Sequence, residues 1–162
     1  MSTLFQPLYG SNAALTITLA SLAATSYRQS AFVNNSTNYA DAFVYGHLTS
    51  TAGTANTVFQ IFAYWSNDGG STYSSNASGS DASYTLSTSS DATSLWQLTS
   101  LTKTATTAST HYFQGFSFCQ AAGLLFLPQR WGVIVYNGDS AALNATAGNH
   151  VLSYQGVNWQ GN

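Results

Sequence analysis

The sequence predicts an all-β protein: an antiparallel β-sandwich, jelly-roll-like, with about eight or nine strands. Three observations predict it. Short runs of β-branched and aromatic residues alternate with polar ones, and turn residues punctuate them at short intervals. Two runs, residues 58–65 and 131–136, are almost wholly apolar, and such strands need cover on both faces. No stretch keeps helical periodicity over three turns. No repeat with a period of roughly 20–50 residues is visible, which argues against propellers and solenoids.

Residues 1–12 read as an N-terminal arm ahead of a single β-sandwich domain, 13–162. Leu4, Phe5, Leu8 and Tyr9 are apolar, while Pro7, Gly10 and Asn12 oppose a regular element. Such an arm either folds back on the core or docks on a neighbour. Residues 14–20 alternate, with Leu15, Ile17 and Leu19 on one face and Thr16 and Thr18 on the other, as a half-buried strand does. Residues 30–33 make a second short strand and 34–38 a turn. Residues 42–49 form a third strand, in which Gly46 suits a bulge or a close backbone approach. The apolar strand 57–65 is closed by Ser66-Asn67-Asp68-Gly69-Gly70, and 71–80 is a Ser/Gly/Asn-rich surface loop. Residues 83–86 and 95–99 are two more strands joined by the polar stretch 87–94. A polar loop, 102–110, holds Lys103. Residues 111–118 alternate aromatic and polar, with Gly115 suited to a bulge.

The stretch 124–136 is the most apolar of the chain. Pro128 stands before its strand, where a missing N–H costs least, and Asn137-Gly138-Asp139 ends it. Arg130 sits inside this stretch. A cation there must snorkel, pair with an Asp or face a partner. Residues 141–149 form a loop and 150–159 the last strand. Short helices have room only at 20–26 and 118–123. Trp65, Trp96 and Trp131 belong in the core; Trp159, near the C-terminal end, suits an interface.

A chain of 162 residues is long enough to bury a core as one domain. Hydrophobic residues make up 44% and aromatics 14%, which are globular values. Charged residues make up only 5%, against roughly 25% for an average soluble chain. There is no Glu, and Ser and Thr supply about a quarter of the residues. Hydroxyls and amides therefore keep this surface wet. A net charge of −2 gives little repulsion between copies, so close packing of many copies is electrostatically cheap. Arg28, Lys103 and Arg130 are scattered and form no basic stripe, which excludes nucleic acid as an expected partner. Residues 1–7 lack the basic start of a secretory signal, and 13–24 is too short and too polar to span a bilayer. The expectation is a soluble protein made in the cytoplasm, without a membrane partner.

No residue set suggests catalysis, a metal or a cofactor. The carboxylates are Asp41, Asp68, Asp81, Asp91 and Asp139. Asp68 and Asp81 flank one loop, as a glycosidase pair could, but their Ser/Asn/Gly surroundings suit turns better. The spaced carboxylates of a calcium loop are missing from 67–81. His47, His111 and His150 lack the local Cys/His pairing of a zinc site, and no nucleophile elbow or phosphate loop appears. Cys119, the single cysteine, reads as a small buried hydrophobe.

The chain resembles a family of small proteins of tailed bacteriophages and prophages. The resemblance rests on residues 14–22, on Asp41-Ala42, on Ala63-Tyr64-Trp65-Ser66-Asn67-Asp68-Gly69, and on 77–82. It continues through Leu127-Pro128-Gln129-Arg130-Trp131-Gly132, 145–150 and Tyr154-Gln155-Gly156-Val157. It implies a virion structural component similar to capsid decoration (cement) proteins. That in turn implies binding to a major capsid protein on the outer capsid surface, as a homo-oligomer with a trimer favoured, made in the host cytoplasm. A tail or fibre module binding carbohydrate or a receptor is the alternative. The residues expected to meet a partner are Leu4, Phe5, Leu8, Tyr9, Arg130, Tyr154 and Trp159.

Overall fold

A computed structural model describes residues 5–86 and 95–161. Ten strands lie among them: β1 (Phe5–Ala14), β2 (Ser26–Gln29), β3 (Val33–Asn34), β4 (Asp41–Ser50), β5 (Thr57–Ser66), β6 (Ala82–Tyr84), β7 (Trp96–Lys103), β8 (Ser109–Ser117), β9 (Arg130–Asn137) and β10 (Val151–Gly161). One short α-helix among the described residues, α1 (Phe118–Ala122), sits where a helix had room. One sheet runs β1-β10-β4-β8 and the other β6-β2-β9-β5-β7, with β3 also on β9. Every pairing is antiparallel. With the short β3 and β6 set aside, the remaining strands pair first–last–third–sixth and second–seventh–fourth–fifth. That order is the jelly roll, two Greek keys closed face to face.

The apolar runs take the central places. β5 and β9 pair along their length in the larger sheet. Phe59, Ile61 and Ala63 of β5, with Trp131, Val133 and Val135 of β9, face the other sheet and the main core. Phe62, Tyr64 and Ile134 point the opposite way and pack with Ala77 and Tyr84 in a second cluster. The 67–81 loop supplies Ala77 to that cluster, so both faces of these strands are covered. β4 contributes Ala42, Val44 and Leu48 to the main core, alternating with half-buried residues.

Four expectations change. Residues 5–12 take the first of the two courses open to an arm, but as a regular element. They fold back as part of β1, an edge strand paired with β10, and a register shift between Tyr9 and Asn12 absorbs Gly10 and Ser11. An edge strand needs donors on one side only, so Pro7 is tolerated there. Residues 15–19 show the expected alternation in burial, with Leu15 and Leu19 inside, but they make no ladder. This segment crosses from one sheet to the other, held by bonds such as Ala31 N to Thr16 O at 2.8 Å. Alternation reports an extended chain over a core, not a strand partner. Trp96 is 49% exposed rather than core, with its Nε1 donating to Ala121 O at 2.7 Å.

Lys103 is the fourth. It closes β7 and turns into the sandwich, fully buried. Its Nζ lies 2.5 Å from Asp139 Oδ2 and donates to Thr51 O at 2.8 Å. Asp139 Oδ1 accepts from Thr54 N at 3.0 Å and Ser140 N at 2.7 Å. A Cβ at Gly53 would overlap this carboxylate, so the 51–54 loop can wrap it only with glycine there. The pair ties the end of β7 to the β4–β5 loop and to the turn after β9.

Candidate functional site

The most exposed apolar surface gathers where β1, β10 and β4 meet α1. Pro7 pairs with Trp159, and Tyr9 with Val157, which pairs in turn with Asp41. Paired residues share a face, so Pro7, Tyr9, Asp41, Val157 and Trp159 form one side of the sheet. Phe43 follows on that side, its ring 6.3 Å from that of Tyr9.

The opposite wall is the loop after α1. Ser117 caps the helix by accepting from Gln120 N at 2.9 Å. Gly123, at φ 66°, ends it in the left-handed conformation, and Leu124 N returns to Cys119 O at 2.8 Å. Leu127 N then donates to Ala40 O at 2.9 Å, and the Leu127 side chain is buried. Held at both ends, the loop turns Leu125 and Phe126 outward, 90% and 73% exposed. Trp159 is 64% exposed and Tyr9 54%. The groove between the walls holds about 410 Å³, and a hollow of about 450 Å³ adjoins it across Ala40, Phe126 and Trp159.

The polar groups on the groove floor are committed to structure. Asp41 Oδ1 accepts from Ala42 N at 2.7 Å and Cys119 N at 2.9 Å, while Oδ2 accepts from the Ser117 hydroxyl. The carboxylate thus fastens α1 to β4. Burial, reinforced by Asp41, pushes the Cys119 thiol well up from its ordinary pKa, the opposite of an activated nucleophile. The groove can bury apolar surface; it is not arranged to move protons.

The expected contact residues divide. Tyr9 and Trp159 come together in the groove. Leu8 is exposed on the other face of β1, opposite Asn158. Leu4 lies outside the described residues, and Phe5 is placed by its backbone pairing with Gly161. Tyr154 faces inward, its ring edge-on to Trp131 at 5.1 Å, so it is a core contact. Arg130 does not line the groove; its guanidinium lies 4.4 Å over the Phe32 ring, a cation–π contact. Sequence reasoning missed Phe43, Leu125 and Phe126. The signal for the last two was the apolar pair caught between Gly123 and Pro128, both breakers of regular structure.

Asp81, Asp68, His150 and His111 are each engaged by neighbouring groups. Asp81 accepts from Arg28 Nε at 2.7 Å and from Thr18 Oγ1 at 2.6 Å. Burial raises its pKa, but these bonds outweigh burial and hold it low. Asp68 accepts from Ser66 Oγ at 2.6 Å and Thr72 Oγ1 at 2.6 Å, bonds that keep its carboxyl well below the usual range. His150 Nδ1 faces Thr49 N at 3.3 Å, with its Nε2 2.9 Å from Asn144 O. His111 Nε2 lies 3.1 Å from the hydroxyls of both Ser50 and Ser109. Among the described residues, no three His, Cys, Asp or Glu side chains are placed to hold a metal ion. None of their helices is long and apolar enough to cross a membrane. Asp91 lies outside the described residues. Compared with protein-family models, with curated proteins and with solved structures, the chain finds no match in any of the three.

Proposed function

We propose that this protein is a non-enzymatic virion component of a tailed bacteriophage, a decoration (cement) protein that docks on the outer surface of the major capsid protein. The observation that carries the reading is the apolar groove. Four large apolar side chains stand more than half exposed around it on an otherwise weakly charged molecule. A patch of this kind marks a contact surface. Docking would bury Leu125, Phe126, Trp159 and Tyr9 against a capsomer. Each contact is modest, and repetition across a lattice, with copies joined as a homo-oligomer, makes the sum large. The resemblance described above points to the same role, and jelly rolls recur among viral capsid domains, an analogy at the level of fold.

The test uses capsids stripped of this chain. Added back, the wild type should bind in many copies and raise the temperature at which shells open. Phe126→Asp and Trp159→Ser, made together, should fold normally and abolish both effects. Purified virions carrying few or no copies of the chain would overturn the reading, as would capsid binding unchanged in the double variant.

A further inference from the structure

A second concavity, of about 570 Å³, opens beside β2 and β6 and shares no lining residue with the groove. Tyr27 and Arg28 of β2 line it, together with Thr18, Ser21, Thr25 and Ser26 from the chain leading into β2 and with Ser83 and Thr85 at β6.

Its rim is strained and rigidly held. Ser21 and Thr25 lie at φ 57° and 53°, in the left-handed region. That region is unfavourable for any side chain, and most of all for a β-branched one. The conformation persists because the surroundings fix it. Fully buried Asn137 reaches with Nδ2 to the carbonyls of Leu22 and Ala23, each at 3.0 Å. Ser21 N donates to Asn144 O at 3.1 Å. Backbone strain kept in place by a buried amide is the mark of a shaped site rather than a slack loop.

The Arg28 guanidinium is fixed as well. Its Nε donates to Asp81 Oδ1 at 2.7 Å and its Nη2 to Asp81 O at 3.1 Å. Its Nη1 has no hydrogen-bond partner among the described residues. The cation is neutralised by Asp81 yet keeps donors to spare. A neutral ion pair gives no net attraction to phosphate or sulfate. The hydroxyls of Thr18, Thr25 and Ser26 donate to Asp81 Oδ2 and to Ala24 O and so present only lone pairs outward. Spare guanidinium donors beside such acceptors match the vicinal hydroxyls of a sugar, each of which both donates and accepts. Tyr27, its ring stacked on Tyr136 at 4.4 Å and edge-on to Tyr84, braces β2 from the opposite face.

We infer that this cleft is a binding site for a neutral saccharide. Because the cleft and the groove are disjoint, one molecule can hold a shell by one surface and a glycan by the other. The experiment titrates the full chain with glucose, galactose, N-acetylglucosamine and rhamnose, one at a time, followed by amide chemical shifts. At least one probe should give saturable shifts at Thr25, Ser26, Tyr27, Arg28, Ser83 and Thr85. Ser83 and Thr85 are exposed, so Ser83→Phe and Thr85→Phe fill the cleft without touching the core. Each should weaken binding by about tenfold or more and leave capsid binding as in the wild type. No saturable shift with any probe overturns the inference, as does saturable binding that both Phe variants leave unchanged. The capsid assay stands or falls separately.

Discussion

Lys103→Met removes the ammonium from a pair in which neither side chain is more than 1% exposed. The Asp139 carboxylate remains buried, with the N–H groups of Thr54 and Ser140 and a long bond from the Ser140 hydroxyl to stabilise it. Breaking such a pair costs about 3–5 kcal/mol. In a domain of this length each kcal/mol lowers Tm by about 2–4 °C, so the loss should be about 6–20 °C. The pH dependence carries the sharper signature. In the native protein burial raises the Asp139 pKa, but Lys103 and the two N–H groups outweigh burial and hold it low. A depressed carboxylate contributes stability that is complete above its unfolded pKa of about 3.9 and is lost as pH falls through the folded value. Without Lys103 burial prevails and the folded pKa rises, so acid no longer costs the variant stability at this group. The gap between the two proteins should be widest near neutral pH and narrow on acidification. Urea unfolding followed by circular dichroism from about pH 7 to 4 measures it. Adding Asp139→Asn, which keeps an acceptor for both N–H groups but no charge, should recover a large part of the loss at neutral pH. A Lys103→Met cost below about 1 kcal/mol, or a gap that does not change with pH, would refute this account.

Other outcomes follow from the same coordinates. Gly132→Ala should lower stability by about 1–3 kcal/mol in urea unfolding, because a Cβ there would overlap the Tyr64 ring, whose hydroxyl is tied to Ser30 O at 2.7 Å. Cys119 should resist a thiol reagent at neutral pH in the folded protein and react once the chain is unfolded, since it is buried and its pKa is pushed up. Phe126→Asp and Trp159→Ser should each leave the unfolding midpoint within about 0.5 kcal/mol of the wild type, because both side chains are mostly exposed. Capsid binding, measured from low to high salt, should change little, because few charges are present to screen.

The sheets were legible because their signal is local. β5 and β9 announce themselves by unbroken apolar runs, and α1 by a gap in the strand pattern ahead of Gly123. What escaped depends on neighbours distant in sequence. Lys103 looks like a loop cation until Asp139, in another turn, is brought against it. Residues 15–19 carry a strand's alternation with no strand beside them. The stretch 124–136 is the most apolar of the sequence, yet Leu125 and Phe126 in its first half are among the most exposed large apolar side chains described. Hydropathy says that a residue prefers to leave water; it does not say whether its own chain or another supplies the cover. Tyr9 and Trp159 stood out because they lie near the chain ends, while Tyr154, five residues before Trp159 and so on the opposite face of β10, points inward to Trp131.

The composition understates how little field this molecule projects. Of its three basic residues, Arg28 is spent on Asp81, Lys103 on Asp139 inside the sandwich, and Arg130 lies over an aromatic ring. Asp41 and Asp68 are wrapped by hydroxyl and amide donors. Charge here is used to fasten elements to one another, where an ion pair or a capped carboxylate fixes geometry. Almost none is left to steer a diffusing partner or to repel a neighbouring copy. Recognition must then rest on shape, apolar burial and neutral hydrogen bonds, which act only at contact. Such forces give slow, unsteered association, and they suit a surface that meets its partner many times over on a repeating lattice, where each contact adds to the next.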